Sequence, residues 1–304
     1  MRVAVLSTLL FLSACAEPAG PRTERVPLEA VAASFVVSWD ALGRFGHTDA
    51  GPRSLACLDG GVALLDAGNR RVLRVDGDGA LLGETPVPVL ADDLVALGGG
   101  FAFLSGPSRS VALVDADGAT RETIPLPAGL APVTGLILEE GDLAVTTVYQ
   151  DSLRLRTPTL AALREGIPCG DGRRCQILAD APAAPGALRG FRLRRATQPL
   201  AGGDGSRFED VGGVPFEASA ARLVGLDGDD LLVLADIVEG GGAVRRELLW
   251  VTPELEIRDR VDLVVRGGAA PVRQVALCPG GGAAWMEETG DGIRVSMIRG
   301  GGVR

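Results

Sequence analysis

The chain of 304 residues has no lysine, one histidine (His47), one asparagine (Asn69) and one tyrosine. Aromatic residues make up only 4%, so a core must be built from Val, Leu, Ala and close-packed Gly rather than stacked rings. His47 sits in a polar turn with no Ser or Cys nucleophile motif nearby. GxSxG, HExxH, a Walker loop and a strand-linked GxGxxG are all missing, and with them the local signatures of hydrolase, zinc-protease and nucleotide chemistry. The glycine runs at 98–100, 240–242, 280–282 and 300–302 open no helix, so none offers a helix N-terminus to phosphate. No catalytic, metal-binding or cofactor-binding residue set is expected.

Every basic residue is Arg, and the formal net charge is −9. An acidic domain repels nucleic acid and anionic headgroups, which argues against both as partners. The apolar run Val3 to Leu12 is too short to cross a bilayer core of about 30 Å as a helix.

What is present is a repeat. Asp59 to Pro88 lies without a gap on Gly98 to Pro127, 39 positions later. Gly61 falls on Gly100, Arg70 on Arg109, Asp76 on Asp115, Gly79 on Gly118 and Pro86 on Pro125. A strand-like repeat near 40 residues, punctuated by Gly, is the mark of a propeller blade. A third blade begins at Val133, a fifth at Arg222 and a sixth at Val275, and a degenerate fourth must lie within Leu188 to Phe216. Between them, residues 157–187 lose the register and are expected to be an insertion on blade three. The last blade has room for three strands only. The strand around Phe35 to Trp39 is therefore expected to complete it and close the ring, which removes open sheet edges. The expected fold is all-β, one six-bladed propeller over residues 34–304.

Phe45-Gly46, Asp66-Ala67-Gly68-Asn69-Arg70-Arg71-Val72, and then Asp76 and Gly79, resemble the NHL repeat, well over one blade and fairly over a second. The resemblance implies a six-bladed propeller. Asp66 and Asn69 are expected to bond their own turn backbone, since Asn tolerates a left-handed conformation. Six-bladed relatives include calcium-dependent lactonases with a Glu, Asn and Asp set in the channel. A sole Asn in a blade turn cannot supply that set, so a degenerate lactonase-like hydrolase using Asp66, Asp115 and Asp236 is the alternative reading. Trp250 and Trp285 read as core.

Leu12-Ser13-Ala14-Cys15 resembles the bacterial lipobox. That resemblance implies cleavage after residue 14, lipid on Cys15 and a tether over residues 15–33, with membrane attachment through multiple acyl chains. It implies an exported protein held in the envelope. Ala16 after the Cys points by resemblance to the outer membrane.

With Cys15 assigned to lipid, four Cys remain and allow three pairings. Cys169 and Cys175 bracket a turn sequence and are expected to pair, which leaves Cys57 and Cys278. Those two are off by one position in blade register, so alternation can aim them at opposite faces. Arg189, Arg192, Arg194 and Arg195 form a dense basic cluster. It reads as a solvated strand face paired with nearby Asp and Glu, or as a contact for an anionic group of a partner. The functional expectation is a non-catalytic binding or scaffold module for an envelope protein or a glycan, without a cofactor.

Overall fold

The computed structural model describes residues 31–38, 52–139, 141–182, 184, 187–197, 207–239, 243–263, 273–278 and 281–299. Blade one is β2 (Ser54–Leu58), β3 (Gly61–Asp66), β4 (Arg71–Asp76) and β5 (Leu81–Pro86). Blade two is β6 (Asp93–Leu97), β7 (Gly100–Ser105), β8 (Ser110–Val114) and β9 (Thr120–Pro125). Blade three is β10 (Val133–Glu139), β11 (Asp142–Thr147), β12 (Ser152–Arg154) and β13 (Leu163–Arg164). Blade four is β14 (Ile167–Pro168), β15 (Arg174–Ala179), β16 (Arg189–Ala196) and β17 (Phe208–Ala218). Blade five is β18 (Ala220–Asp227), β19 (Asp230–Val238), β20 (Val244–Val251) and β21 (Ile257–Leu263). Blade six is β22 (Val275–Leu277), β23 (Gly282–Glu288) and β24 (Gly292–Arg299), completed by β1 (Val31–Ser38). Every sheet is four-stranded and antiparallel, five of them meanders and blade six closed by β1, and the six together form a propeller.

The ring closes as the strand count predicts. Phe35 pairs Val295 and Val37 pairs Ile293, and Phe35 and Val37 join Leu55, Leu64 and Met286 in the core between blades six and one. The strand begins at Val31, earlier than the expected boundary at 34.

The repeat holds in three dimensions. Arg70 and Arg109 both take left-handed backbone, at φ 54° and 47°. Both guanidinium groups then donate to proline carbonyls, of Pro88 at 2.9 Å and Pro127 at 3.2 Å. The left-handed residue is thus one position past Asn69, which instead donates to Asp66 from its backbone N–H at 3.1 Å and its side chain at 2.8 Å. Gly61 and Gly100 start the second strands because a Cβ there would lie 2.1 Å from the Val75 or Val114 carbonyl.

One expectation fails. Residues 157–187 are not an insertion on blade three. They supply its outer strand, then the first two strands of blade four. Both β13 and β14 are two residues long, too short to show alternation, and so the stretch looks irregular in sequence.

Apolar cores fill five of the six seams between blades among the described residues. Trp250 and Trp285 belong to the one between blades five and six. The seam between blades three and four is ionic instead. The Glu139 carboxylate, 1% exposed, accepts from Ser152 at 2.7 Å, Arg154 at 3.2 Å, Arg164 at 3.1 Å and Arg174 at 2.6 Å. Burial alone would raise its pKa, but Ser152, Arg174 and Arg154 outweigh that and hold it below the usual carboxylate range. Burial pulls Arg174 below its ordinary value even with Glu139 beside it.

Candidate functional site

All six inner strands run in one sense around a central channel, and the end at which they begin is called here the entry face. Two cavities meet there. The channel itself is a cavity of about 650 Å³ lined by inner-strand residues of every blade. A groove of about 890 Å³ lies over blades three, four and five. Val148, Gln150 and Ala221 line both, so the groove leads into the channel mouth.

The channel mouth is built from charged groups. Arg273 pairs as an isolated parallel bridge with Ser54, and its guanidinium reaches Asp93 of blade two at 2.6 Å and the Leu136 carbonyl of blade three. Asp93 is fully buried and also accepts from Ser54 at 2.5 Å and the Leu136 N–H at 2.7 Å. Arg246 holds Asp236 at 2.6 and 3.0 Å and Gln274 at 3.1 Å. Arg222 lines the channel together with Arg273. Burial, then the charges of Arg246 and Arg273, lower its pKa against the opposing pull of Asp236 and Asp93.

Further along, the channel wall is Ala56, Val95, Ala96, Ile137, Leu138, Leu226, Ala276 and Leu277. The Cys57–Cys278 disulfide forms part of that wall, with Cα atoms 4.9 Å apart. The register objection to this pair does not apply. Cys57 and Cys278 belong to different sheets, and Cys278 lies just past the end of β22 in the turn closed by Cys278 N–H to the Gly282 carbonyl. Cys169 and Cys175 form the second disulfide.

The groove is floored by Gln150, which takes left-handed backbone at φ 60°. Its amide donates to the Ile177 carbonyl at 2.6 Å, and its oxygen accepts from the N–H groups of Ile177 at 3.3 Å and Leu223 at 3.4 Å. One side chain so ties blades three, four and five. Beside it, Tyr149 is 67% exposed and Val148 49%, with Leu178, Arg189 and Arg194 along the same wall. Asp151 in this wall is pushed up, first by burial and then by Glu165, against bonding to the Gly166 N–H and the Arg174 charge.

The four clustered arginines separate by alternation along β16. Arg192 is exposed and pairs Asp180 at 3.0 Å and Asp210 at 2.9 Å. Arg194 lies opposite Asp210 in the ladder and stacks over Phe208, 5.5 Å from the ring centre. Arg195 lies opposite Glu209. Arg192 is ion-paired across strands, an arrangement worth a few tenths of a kcal/mol to about 1 kcal/mol, whereas Arg195 Nε is buried without a hydrogen-bond partner among the described residues. Arg189 and Arg194 also line the groove.

The three carboxylates of the alternative reading do not converge. Asp66 closes a blade-one turn with Asn69 and Arg71. Asp115 pairs Arg121 in the β8–β9 hairpin. Asp236 is held by Arg246. They sit on different blades, and Asp115 follows a third strand, away from the entry face, where Asp66 ends one second strand and Asp236 lies two residues before the end of another. Among the described residues no group of three or more His, Cys, Asp or Glu is placed to hold a metal ion. Cys15 and His47 lie outside the described residues. Sequence reasoning missed Gln150, Tyr149, Glu139, Arg174, Arg222 and Arg273. The one local signal was an Arg within the otherwise apolar start of an inner strand, at Arg222.

No protein-family model matches the sequence, and no curated protein matches it. Among solved structures, virginiamycin B lyase from Staphylococcus aureus is similar at 13% identity and a TM-score of 0.45, over 87% of this chain and 98% of that one. BamB from Moraxella catarrhalis is similar at 11% and 0.42, over 81% and 83%. A DUF4221 family member from Bacteroides vulgatus is similar at 7% and 0.46, over 88% and 95%.

Proposed function

We propose that the protein is a non-catalytic, lipid-anchored propeller of the bacterial envelope whose entry-face groove docks another envelope protein. The observation that carries this reading is the groove itself. Exposed Tyr149 and Val148 stand beside Arg189 over a cavity of about 890 Å³, a pairing of aromatic and Arg side chains typical of interface hot spots. The apolar patch favours a protein over a glycan. Two disulfides support an oxidising compartment. Attachment through Cys15, after removal of residues 1–14 and along a tether of residues 15–33, rests on the lipobox resemblance, as does placement at the outer membrane.

A photo-crosslinking amino acid at position 149 in intact cells tests the docking. An envelope-protein adduct at 149, absent at Leu82 on the outer strand of blade one and lost with Arg189→Glu, is the expected result. Equal adducts at 149 and 82, or none at either, would overturn the reading. The degenerate hydrolase has no structural observation in its favour, since Asp66, Asp115 and Asp236 stand apart.

A further inference from the structure

We propose that the entry-face groove takes an extended strand of the partner, which adds to the open inner edge of β15 in blade four. The proposal rests on the docking reading and names what docks. In an antiparallel ladder alternate residues turn their N–H and C=O groups to opposite edges. The Asp180 N–H donates to the Gly190 carbonyl of β16's side at 2.8 Å. Even-numbered residues of β15 therefore bond β16, and Cys175, Ile177 and Ala179 face inward. On that side β14 pairs only Arg174 and Cys175, although β15 runs on beside β16 to Ala179. Among the described residues no strand covers the edge beyond Cys175. The cause is local. Continued in register, residues 163 and 164 would lie opposite Ala179 and Leu178, but they pair β12 as the outer strand of blade three. Gly166, with left-handed backbone at φ 76°, turns the chain from one sheet to the next.

Hydrogen bonding and charge decide the class of partner. An uncovered strand edge is a template for another strand. At Ile177 the edge already holds an amide. Gln150 donates to the Ile177 carbonyl at 2.6 Å and accepts from its N–H at 3.3 Å, as a peptide group of a neighbouring strand does. The next rung, Ala179, is exposed and lines the groove. A strand set about 4.8 Å from β15 at that rung has two unlike flanks. Leu178 shares a face with Gln176 and Arg174, which reach Asp151 and Glu139 of blade three. That flank, with exposed Val148 and Tyr149, is apolar. Arg189 shares the other face with Phe191, which packs in the core between blades four and five, and Ala220 and Ala221 stand on that side. The segment that fits alternates apolar residues toward blade three with small ones toward blade five. A strand running as β14 does begins at the entry face. Exposed Arg189 lies toward that end, past the Ala179 rung, and favours an acidic residue at the segment's N-terminal end. The other guanidinium of the wall, Arg194, lies 3.9 Å from Glu165.

Isothermal titration of the mature protein with a short capped peptide, a Glu followed by alternating Val and Thr, tests the pairing. Two copies of the peptide are N-methylated, one on every Val and one on every Thr. Saturable binding of the unmethylated peptide is expected, with slowed hydrogen exchange at the Ala179 N–H. One methylated copy is expected to bind at least about tenfold more weakly than the other, because only alternate N–H groups face the edge. Ala179→Pro removes the inward N–H and leaves the bonds from β15 to β16 in place. It is expected to weaken the unmethylated peptide about tenfold or more, and Ala179→Ser to leave it unchanged. If Ala179→Pro does not fold, the methylated pair decides. No saturable binding, equal binding of the two methylated copies, or unchanged binding by a folded Ala179→Pro would each overturn the proposal. In cells, an adduct at 149 that survives Ala179→Pro would overturn strand addition and leave the docking reading standing. No adduct at 149 in the parent chain would overturn both.

Discussion

Arg273 and Asp93, 180 residues apart in sequence, meet at 2.6 Å over the mouth of the channel. Arg273 enters from the blade-six side, and Asp93 is the first residue of the inner strand of blade two. With the Leu136 carbonyl as a further acceptor, one guanidinium links blades six, two and three at the channel mouth. The pair lies deep, with side-chain exposures of 18% and 0%.

Removing one partner of such a pair leaves the other charge buried. Arg273→Ala is expected to lower unfolding free energy by about 3–5 kcal/mol, seen as a lower denaturant midpoint with unchanged slope. Arg273→Lys is expected to recover only part of it, because both contacts come from the terminal Nη2, and a lysine ammonium sits on a shorter side chain and is more strongly hydrated.

Gly135→Ala is a steric test of the same contact. The added Cβ would press on Asp93 and Arg273, for an expected loss of about 1–3 kcal/mol. Gly60→Ala makes a useful contrast, since its Cβ meets nothing within 4 Å and the cost there comes only from the left-handed backbone at φ 81°.

Acid is expected to weaken the seam between blades three and four. Glu139 has a depressed pKa in the fold, so it binds protons less readily folded than unfolded. Its contribution is complete above the unfolded value of about 4.3 and is lost as pH falls through the lower folded value. Glu139→Gln is expected to flatten the stability profile below about pH 4.3, measured by denaturant titration across pH. Hydrogen exchange at low pH is expected to rise earliest in β12 to β15, because this seam has no apolar cluster among the described residues to fall back on.

The two disulfides are expected to differ in weight. In the chain-entropy model the Cys57–Cys278 link, with a sequence separation of 221, stabilises by about 5 kcal/mol, and the Cys169–Cys175 link by about 2 kcal/mol. Replacing each pair by Ser and comparing thermal midpoints under identical non-reducing conditions checks the order. An equal loss from both would show that loop length does not control the effect.

A Cys15→Ala variant is expected to leave the membrane fraction and lose metabolic labelling with fatty acid, if the lipobox acts as its resemblance implies. Retention of both membrane association and label would contradict it.

Much of the architecture was legible because it is written locally. A blade turn such as Asp66 to Arg71 forms its bonds within six residues, and its 39-residue recurrence repeats the same backbone at Arg109. Ring closure by β1 followed from counting strands, and Cys169–Cys175 from a short turn. Blade four was obscured because its first strand has two residues and its last carries register shifts.

Sequence alone thus determined the repeat, the turn chemistry and the closure of the ring, since each depends on neighbours a few residues away or on the parity of strands. The tertiary structure alone decided which arginines matter. Of the arginines dense in sequence, Arg192 pairs Asp180 and Asp210, and Arg194 stacks on Phe208. Arg222 and Arg273, some fifty positions apart, both line the channel. Contacts across a ring of six blades have no period in the chain, and only the closed fold brings those charges to one place.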